Sequence, residues 1–160
     1  MQTKYRRKLQ TEQDLINEKK FIHELSKTWQ GLICKAGEYD EFDYTLRNKN
    51  HEIAYVLELR SRRKTLDWLA QNDYMVSAYK IKCVVEAAEI RNAQPLFGVL
   101  ALDGQFVIDL LIKPDRQGLV EVPDRDPTQH NDAIRSNQLM NFYMADRFMP
   151  MSWLQQWVST

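Results

Sequence analysis

The sequence predicts an α/β domain with a mixed β-sheet flanked by helices. Three observations lead to this fold class. Helix-like and strand-like segments interleave along the chain. Apolar residues recur at helical spacing in two long segments, and turn sequences join two pairs of apolar, β-branched runs. The 160 residues suffice for one domain with a real core but hardly for two.

Composition and charge exclude several classes of protein. Hydrophobic residues make up 44% of the chain, which is typical of a globular protein and not of a disordered one. The 22 Lys and Arg balance the 22 Asp and Glu, so net charge predicts no partner. Cys34 and Cys83 are far apart, which argues against a zinc site or a disulfide scaffold. With no membrane-length apolar run and no signal-like N-terminus, we expect a soluble, cytoplasmic protein without a membrane partner.

The first half of the chain begins with a helix from about Thr11 to Trp29. Thr11 can cap it, and Phe21, Ile22 and Leu25 belong to its apolar stripe. Three strands follow, and Asn48, Lys49 and Asn50 form the turn between the second and third; the strands read LICKA, YDEFDYTL and EIAYVLELR.

The second half returns to a helical period between Asp73 and about Asn92, after a loop or short helix at 61–72. The runs LFGVLAL and QFVIDLLI then form a hairpin around Asp103 and Gly104. A polar loop covers 122–132, and a final helix is predicted over 133–148. The basic segments at 3–8 and 60–64 can contact phosphates, although such clusters are more often solvated surface.

Charges interrupt the third strand. Because alternate side chains share a face of a strand, Ala54, Val56, Glu58 and Arg60 are expected to point the same way. A carboxylate among apolar neighbours is costly unless it is paired or holds a cation. From the pattern alone, a wet face of the hairpin with ordinary surface charges is the favoured explanation.

The hairpin register decides which aspartate lies near Glu58. An even loop count would set Asp43 opposite Val56, on the same side as Glu58, whereas an odd count would set Asp40 opposite Glu58. The sequence leaves this parity open.

The two long helices carry similar charges. Glu18 has Phe21, Ile22 and Leu25 at helical spacings, and Lys80 lies on the stripe with Val84. A lysine stem can reach water from such a stripe, so a surface role explains Lys80 as well. Carboxylates on neighbouring strands offer the oxygen ligands that Mg²⁺ and Mn²⁺ prefer, and a nearby lysine can orient or activate water. Together these charges predict one shared polar site.

The sequence resembles the PD-(D/E)XK nuclease superfamily, and in particular small single-domain members common in bacteriophages. The resemblance covers roughly residues 12–112 and lies in FDYTL, YVLELRSR, the helix with AYKIK and the pair LFGVLALDGQFVIDL. It implies a restriction-endonuclease-like αβββαβ core, followed by a C-terminal helical extension at about 113–160 within one domain.

The resemblance also implies roles for individual residues. Asp43 and Glu58 would be the metal ligands for Mg²⁺ or Mn²⁺. Glu18 would be the catalytic carboxylate of the first helix, which supports the metal directly or through water. Lys80 would act as a catalytic lysine, since Arg60 stands where the family has its strand lysine. Arg60, with Arg62 and Arg63, would bind phosphate.

The resemblance implies a metal-dependent nuclease that hydrolyses phosphodiester bonds in DNA, in the host cytoplasm if a phage encodes it. The departure at Arg60 leaves a second interpretation open. The fold would then be catalytically inactive and serve as a nucleic-acid- or protein-binding accessory or structural component. A protein partner could use the aromatic and Met-rich extension, and a homo-oligomer is compatible with the sequence.

Overall fold

The computed structural model of the protein describes residues 11–123 and 135–157. The basic segment at 3–8 and most of the predicted polar loop at 122–132 lie outside these ranges. The helices are α1 (Glu12–Thr28), α2 (Leu66–Asn72) and α3 (Ala78–Ile90). The strands are β1 (Leu32–Lys35), β2 (Tyr44–Arg47), β3 (Ile53–Ser61), β4 (Tyr74–Ser77), β5 (Gln94–Leu100), β6 (Gln105–Asp109), β7 (Arg116–Pro123) and β8 (Arg135–Tyr143). Two 3₁₀ helices follow, Ala145–Arg147 and Met151–Trp157.

The main sheet has five strands in the order β1-β2-β3-β5-β6. Strands β3 and β5 run parallel, and all other neighbours are antiparallel. The parallel pair needs a crossover, and α3 lies within that connection. The predicted mixed sheet is therefore confirmed.

Helix α1 packs on one face of this sheet. It begins at the predicted cap, where the Thr11 hydroxyl accepts from the Asp14 backbone N–H and Asp14 accepts from that of Thr11, both at 3.1 Å. Phe21 and Leu25 are buried in a core cluster that includes Leu57 of β3.

The approach of α1 depends on Gly98 in β5. A Cβ atom there would lie 2.6 Å from Cζ of Phe21 and 2.7 Å from Cδ2 of Leu59. Only glycine leaves room for the Phe21 ring so close to the strand. The contact also positions Glu18, which lies one helical turn before Phe21.

Helix α3 packs on the opposite face. Val84 and Ala88 are buried with Val56, Phe97 and Val99 in a second core cluster. The sheet is thus covered on both sides, as expected for a layered α/β domain.

One bulge alters the predicted alternation in β3. Leu46 pairs with Tyr55 and Arg47 with Ile53, so Ala54 has no partner in β2. The extra residue reverses the alternation, and Ala54 packs with the α1 cluster while Val56 packs with the α3 cluster. The prediction that Ala54 shares a face with Val56 is therefore wrong.

A second, three-stranded sheet corrects two helix predictions. Residues 74–77 form β4 and not the first turn of a helix, and α3 begins at Ala78 with Ser77 as its N-cap. Residues 135–143 form β8, which lies between β4 and β7, so the predicted C-terminal helical extension is wrong. Buried Tyr74 and Tyr143 face each other across β4 and β8. Aromatic side chains suit such a pleated surface, and this pairing overrides the weak helical pattern.

The hairpin between β5 and β6 also differs in detail. The Ala101 N–H donates to the Gly104 carbonyl at 2.8 Å, so Leu102 and Asp103 occupy the turn. The prediction placed Asp103 and Gly104 there, one residue too late.

The apolar residues of the extension mostly serve the core. Met140, Phe142 and Tyr143 are buried, while Phe148, Met149 and Trp153 pack against the two clusters and Met144 is 51% exposed. The Trp157 side chain lies outside the description. Within the described residues, no helix has the length and apolar character needed to span a bilayer.

Candidate functional site

Asp43 occupies a fixed position directly before β2. Its backbone N–H donates to the Leu57 carbonyl at 2.9 Å, and its carbonyl accepts from Ala36 at 2.8 Å. Its carboxylate accepts from the Leu59 backbone N–H at 2.8 Å. Asp43 therefore extends the β1-β2-β3 ladder, and its buried carboxylate lies against β3.

The register places Asp43 beside Glu58. Tyr44 is opposite Leu57 and Thr45 is opposite Val56, so neither predicted pairing occurs as stated. Asp43 lies one position beyond the Tyr44 pair, next to Glu58. The Asp40 carboxylate instead accepts from the Gly37 N–H at 2.6 Å, away from this pair.

Glu58 is 1% exposed and carries two cationic neighbours. Its Oε2 lies 2.6 Å from Nζ of Lys80, and its Oε1 lies 3.1 Å from Nη1 of Arg60. Lys80 also donates to the Glu41 carbonyl at 3.3 Å. Arg60 of β3 and Lys80 of α3 thus both contact the Glu58 carboxylate.

Burial raises the pKa of Glu58 to about 8, and the hydrogen bond to Asp43 and the negative charge of Asp43 act in the same direction. Arg60 and Lys80 lower this pKa, but both are partly exposed, so solvent weakens their effect. Burial and the neighbouring Asp43 thus favour the protonated form of Glu58, and the two cations oppose it.

Glu18 lies on the α1 side of the site. Its side chain is 8% exposed, and its Oε2 is 3.7 Å from Nζ of Lys35. Tyr44 hydrogen-bonds to Glu18, and burial together with this bond raises the pKa of Tyr44 well above its ordinary value. Within residues 11–123 and 135–157, no group of three or more His, Cys, Asp or Glu side chains is arranged to hold one metal ion.

Glu18 and Asp43 line a cleft of about 310 Å³. Asp14 also lines it, and so do Arg60 and Arg62, so acidic side chains slightly outnumber basic ones. Such a lining favours a cation in the cleft and an anion at its basic side. Arg63, the third predicted phosphate ligand, lies in an adjoining groove instead.

Three further residues contribute to the site, two of them without a clear sequence signal. Tyr44 reaches Glu18, and buried Tyr74 supports Arg62, whose guanidinium carbon lies 5.1 Å from the Tyr74 ring centroid. These are tertiary contacts between distant segments, which no local pattern reports. Asp14 could have been found, because it lies four residues before Glu18 and shares its helix face.

No family model and no curated protein matches the chain. Among solved structures, it is similar to Hjc, a Holliday junction resolvase from the archaeal hyperthermophile Archaeoglobus fulgidus. The TM-score is 0.53 at 9% identity, over 85% of this chain and 97% of Hjc. The chain has a restriction-endonuclease-like fold. At this identity the likeness concerns the fold, and it confirms the fold class that the sequence predicted.

Proposed function

We propose that the protein is a divalent-metal-dependent nuclease that hydrolyses phosphodiester bonds in DNA. Asp43 and Glu58 would hold Mg²⁺ or Mn²⁺. The observation that carries this proposal is the pair of buried carboxylates, Asp43 and Glu58, on a restriction-endonuclease-like fold.

The donor set fits such an ion. Carboxylate oxygens are ligands that Mg²⁺ and Mn²⁺ prefer, and two protein ligands are common for Mg²⁺, which keeps several waters. A divalent ion bound to both carboxylates would offset the negative charge of Asp43, which adds to burial in raising the pKa of Glu58. When bound, the metal would lower the pKa of a water and stabilise charge on a phosphoryl oxygen.

Lys80 has the position of a catalytic group. The ion pair with Glu58 and the bond to the Glu41 carbonyl hold its ammonium at the carboxylate pair. From there it can orient the attacking water or neutralise charge that develops on the phosphate. Glu18 would support the water shell of the metal from the α1 side.

Arginines at the site are suited to the phosphate. Arg60 borders the cleft and stays charged, so it can bind a phosphate oxygen but not act as a base. Arg62, held against Tyr74, provides a second such contact, and Arg63 extends the basic side beyond the cleft. Because Hjc is a Holliday junction resolvase, branched DNA is the first substrate to test.

A second candidate is a catalytically inactive protein of this fold that binds nucleic acid or a protein. The observation that favours it is the occupation of both Glu58 oxygens by cations, Lys80 and Arg60. If these ion pairs persist when metal is supplied, they would exclude the metal from Glu58.

Cleavage assays separate the two candidates. Plasmid, four-way-junction and single-stranded DNA would be incubated with Mg²⁺ or Mn²⁺ and wild type, Asp43→Asn or the matched control Asp40→Asn. We expect wild type and Asp40→Asn to cut at least one substrate and Asp43→Asn to cut none. If neither wild type nor Arg60→Lys cuts any of them, the nuclease proposal fails and the binding protein replaces it.

A further inference from the structure

A groove of about 720 Å³ adjoins the cleft. One wall is the exposed side of α1, with Lys20 and His23. The other wall comprises the end of β3, with Arg62 and Arg63, and the turn between β5 and β6. Asn17, Ser61, Arg62 and Leu100 line both spaces, so the groove continues directly from the cleft.

The charge of the groove is opposite to that of the cleft. Lys20, Arg62 and Arg63 contribute three permanent cations, and Glu24 is the sole lining carboxylate among the described residues. Glu24 is already paired with Lys27, at 3.0 Å. The groove therefore offers cations on two facing walls, an arrangement suited to a chain of phosphates.

The size of the groove limits what can enter. A volume of about 720 Å³ lies within the range of pockets that hold a drug-sized molecule. A few nucleotides of one strand fit that volume. Amide side chains of Gln13, Asn17 and Gln105 can bond to sugars or bases without regard to sequence.

We propose that this groove binds an unpaired DNA strand that leads away from the cleft. The inference rests on the proposed function and refines its substrate. The protein would prefer DNA in which a single-stranded extension adjoins the position of cleavage, as at a fork or flap. Lys20 and Arg63 contact phosphates of the extension, and Arg62 connects the two spaces.

Binding in the presence of EDTA tests the inference without any hydrolysis. Fluorescence anisotropy would compare a duplex that carries a single-stranded extension with a blunt duplex of the same paired length. We expect Lys20→Ala and Arg63→Ala to weaken binding of the extended DNA by about twofold to fivefold each. Each should also make the log–log salt dependence shallower by about 0.7, as for one phosphate of a single strand. Lys20→Ala should leave binding of the blunt duplex unchanged, and Arg63→Ala should weaken it less than it weakens binding of the extended DNA.

Neighbouring residues provide matched controls. Lys19 adjoins Lys20 on α1 but lies outside the groove, and Lys64 adjoins Arg63 but stacks on Trp68, with Nζ 4.6 Å from the ring centroid. Lys19→Ala and Lys64→Ala should bind the extended DNA as wild type does. The inference is overturned if Lys20→Ala matches Lys19→Ala, if both DNAs weaken equally, or if wild type binds neither. Intact groove-dependent binding without cleavage would instead overturn the nuclease proposal alone.

Discussion

The buried carboxyl of Glu58 should make the protein less stable as pH rises, and Glu58→Gln should remove that dependence. In the folded protein, burial raises the pKa of Glu58 from 4.5 to about 8. Between these values the folded state holds a proton that the unfolded state has released. The free energy of unfolding therefore falls as pH rises through this window.

The size of the effect follows from the same two values. One pKa unit corresponds to about 1.4 kcal/mol, so the slope approaches about 1.4 kcal/mol per pH unit in the middle of the window. Over the whole interval from 4.5 to about 8, the loss reaches an upper bound of about 5 kcal/mol. A typical domain has only about 5–15 kcal/mol of stability, so the effect is large enough to measure.

Urea denaturation in EDTA buffers from pH 5 to pH 8.5 provides the assay, with Glu52→Gln as the control. Glu52 is exposed directly before β3, so its variant should keep the wild-type slope. In Glu58→Gln, the free energy of unfolding should fall less steeply with pH than it does in wild type and in Glu52→Gln. Equal pH dependence in all three proteins would refute the raised pKa of Glu58.

Four further outcomes are expected. Lys80→Ala should slow cleavage by about 10²–10⁴-fold in single-turnover assays, with little change in DNA affinity. Lys82 is 71% exposed, so Lys82→Ala should cleave DNA at the wild-type rate. Equal cleavage rates for the two variants would show that Lys80 takes no part in the chemistry. Arg60→Ala should weaken DNA binding and reduce its salt dependence in anisotropy titrations, whereas Arg60→Lys should retain cleavage; an unaltered salt slope in Arg60→Ala would speak against a phosphate contact. Calorimetry should find that Mn²⁺ affinity rises with pH up to about 8, because Glu58 must release its proton, and a pH-independent affinity would contradict this. Gly98→Ala should lower the urea midpoint by an equivalent of about 1–3 kcal/mol, because the new methyl group would meet the Phe21 ring, and an unchanged midpoint would show that α1 can move away.

The main sheet and its two long helices were predictable because local signals and tertiary packing agree there. The Thr11 cap and the Phe21 and Leu25 stripe define α1 in the sequence, and the structure uses both. In the C-terminal region, local signals and tertiary packing disagree. Residues 135–143 form a strand because β4 and β7 pair with them, and neither neighbour can be inferred from the segment itself.

The sequence singled out residues that the structure brings together, but it did not predict how they are arranged. Asp43, Glu58 and Lys80 stood out as charges on apolar elements, and the structure brings them together. The choice between Asp43 and Asp40 required the register, which depends on the turn and on the bulge at Ala54. The raised pKa of Glu58 could not be foreseen, since it arises mainly from burial by distant parts of the chain.

Anomalous scattering from crystals soaked in Mn²⁺ shows whether Asp43 and Glu58 together hold a divalent ion. We expect a manganese peak within ligand distance of both carboxylates, with Lys80 displaced from Glu58. The peak should be missing from crystals of Asp43→Asn that are soaked in the same way. A wild-type map without manganese at these two carboxylates, or with Lys80 still bonded to Glu58 and the metal elsewhere, would contradict the proposed metal site.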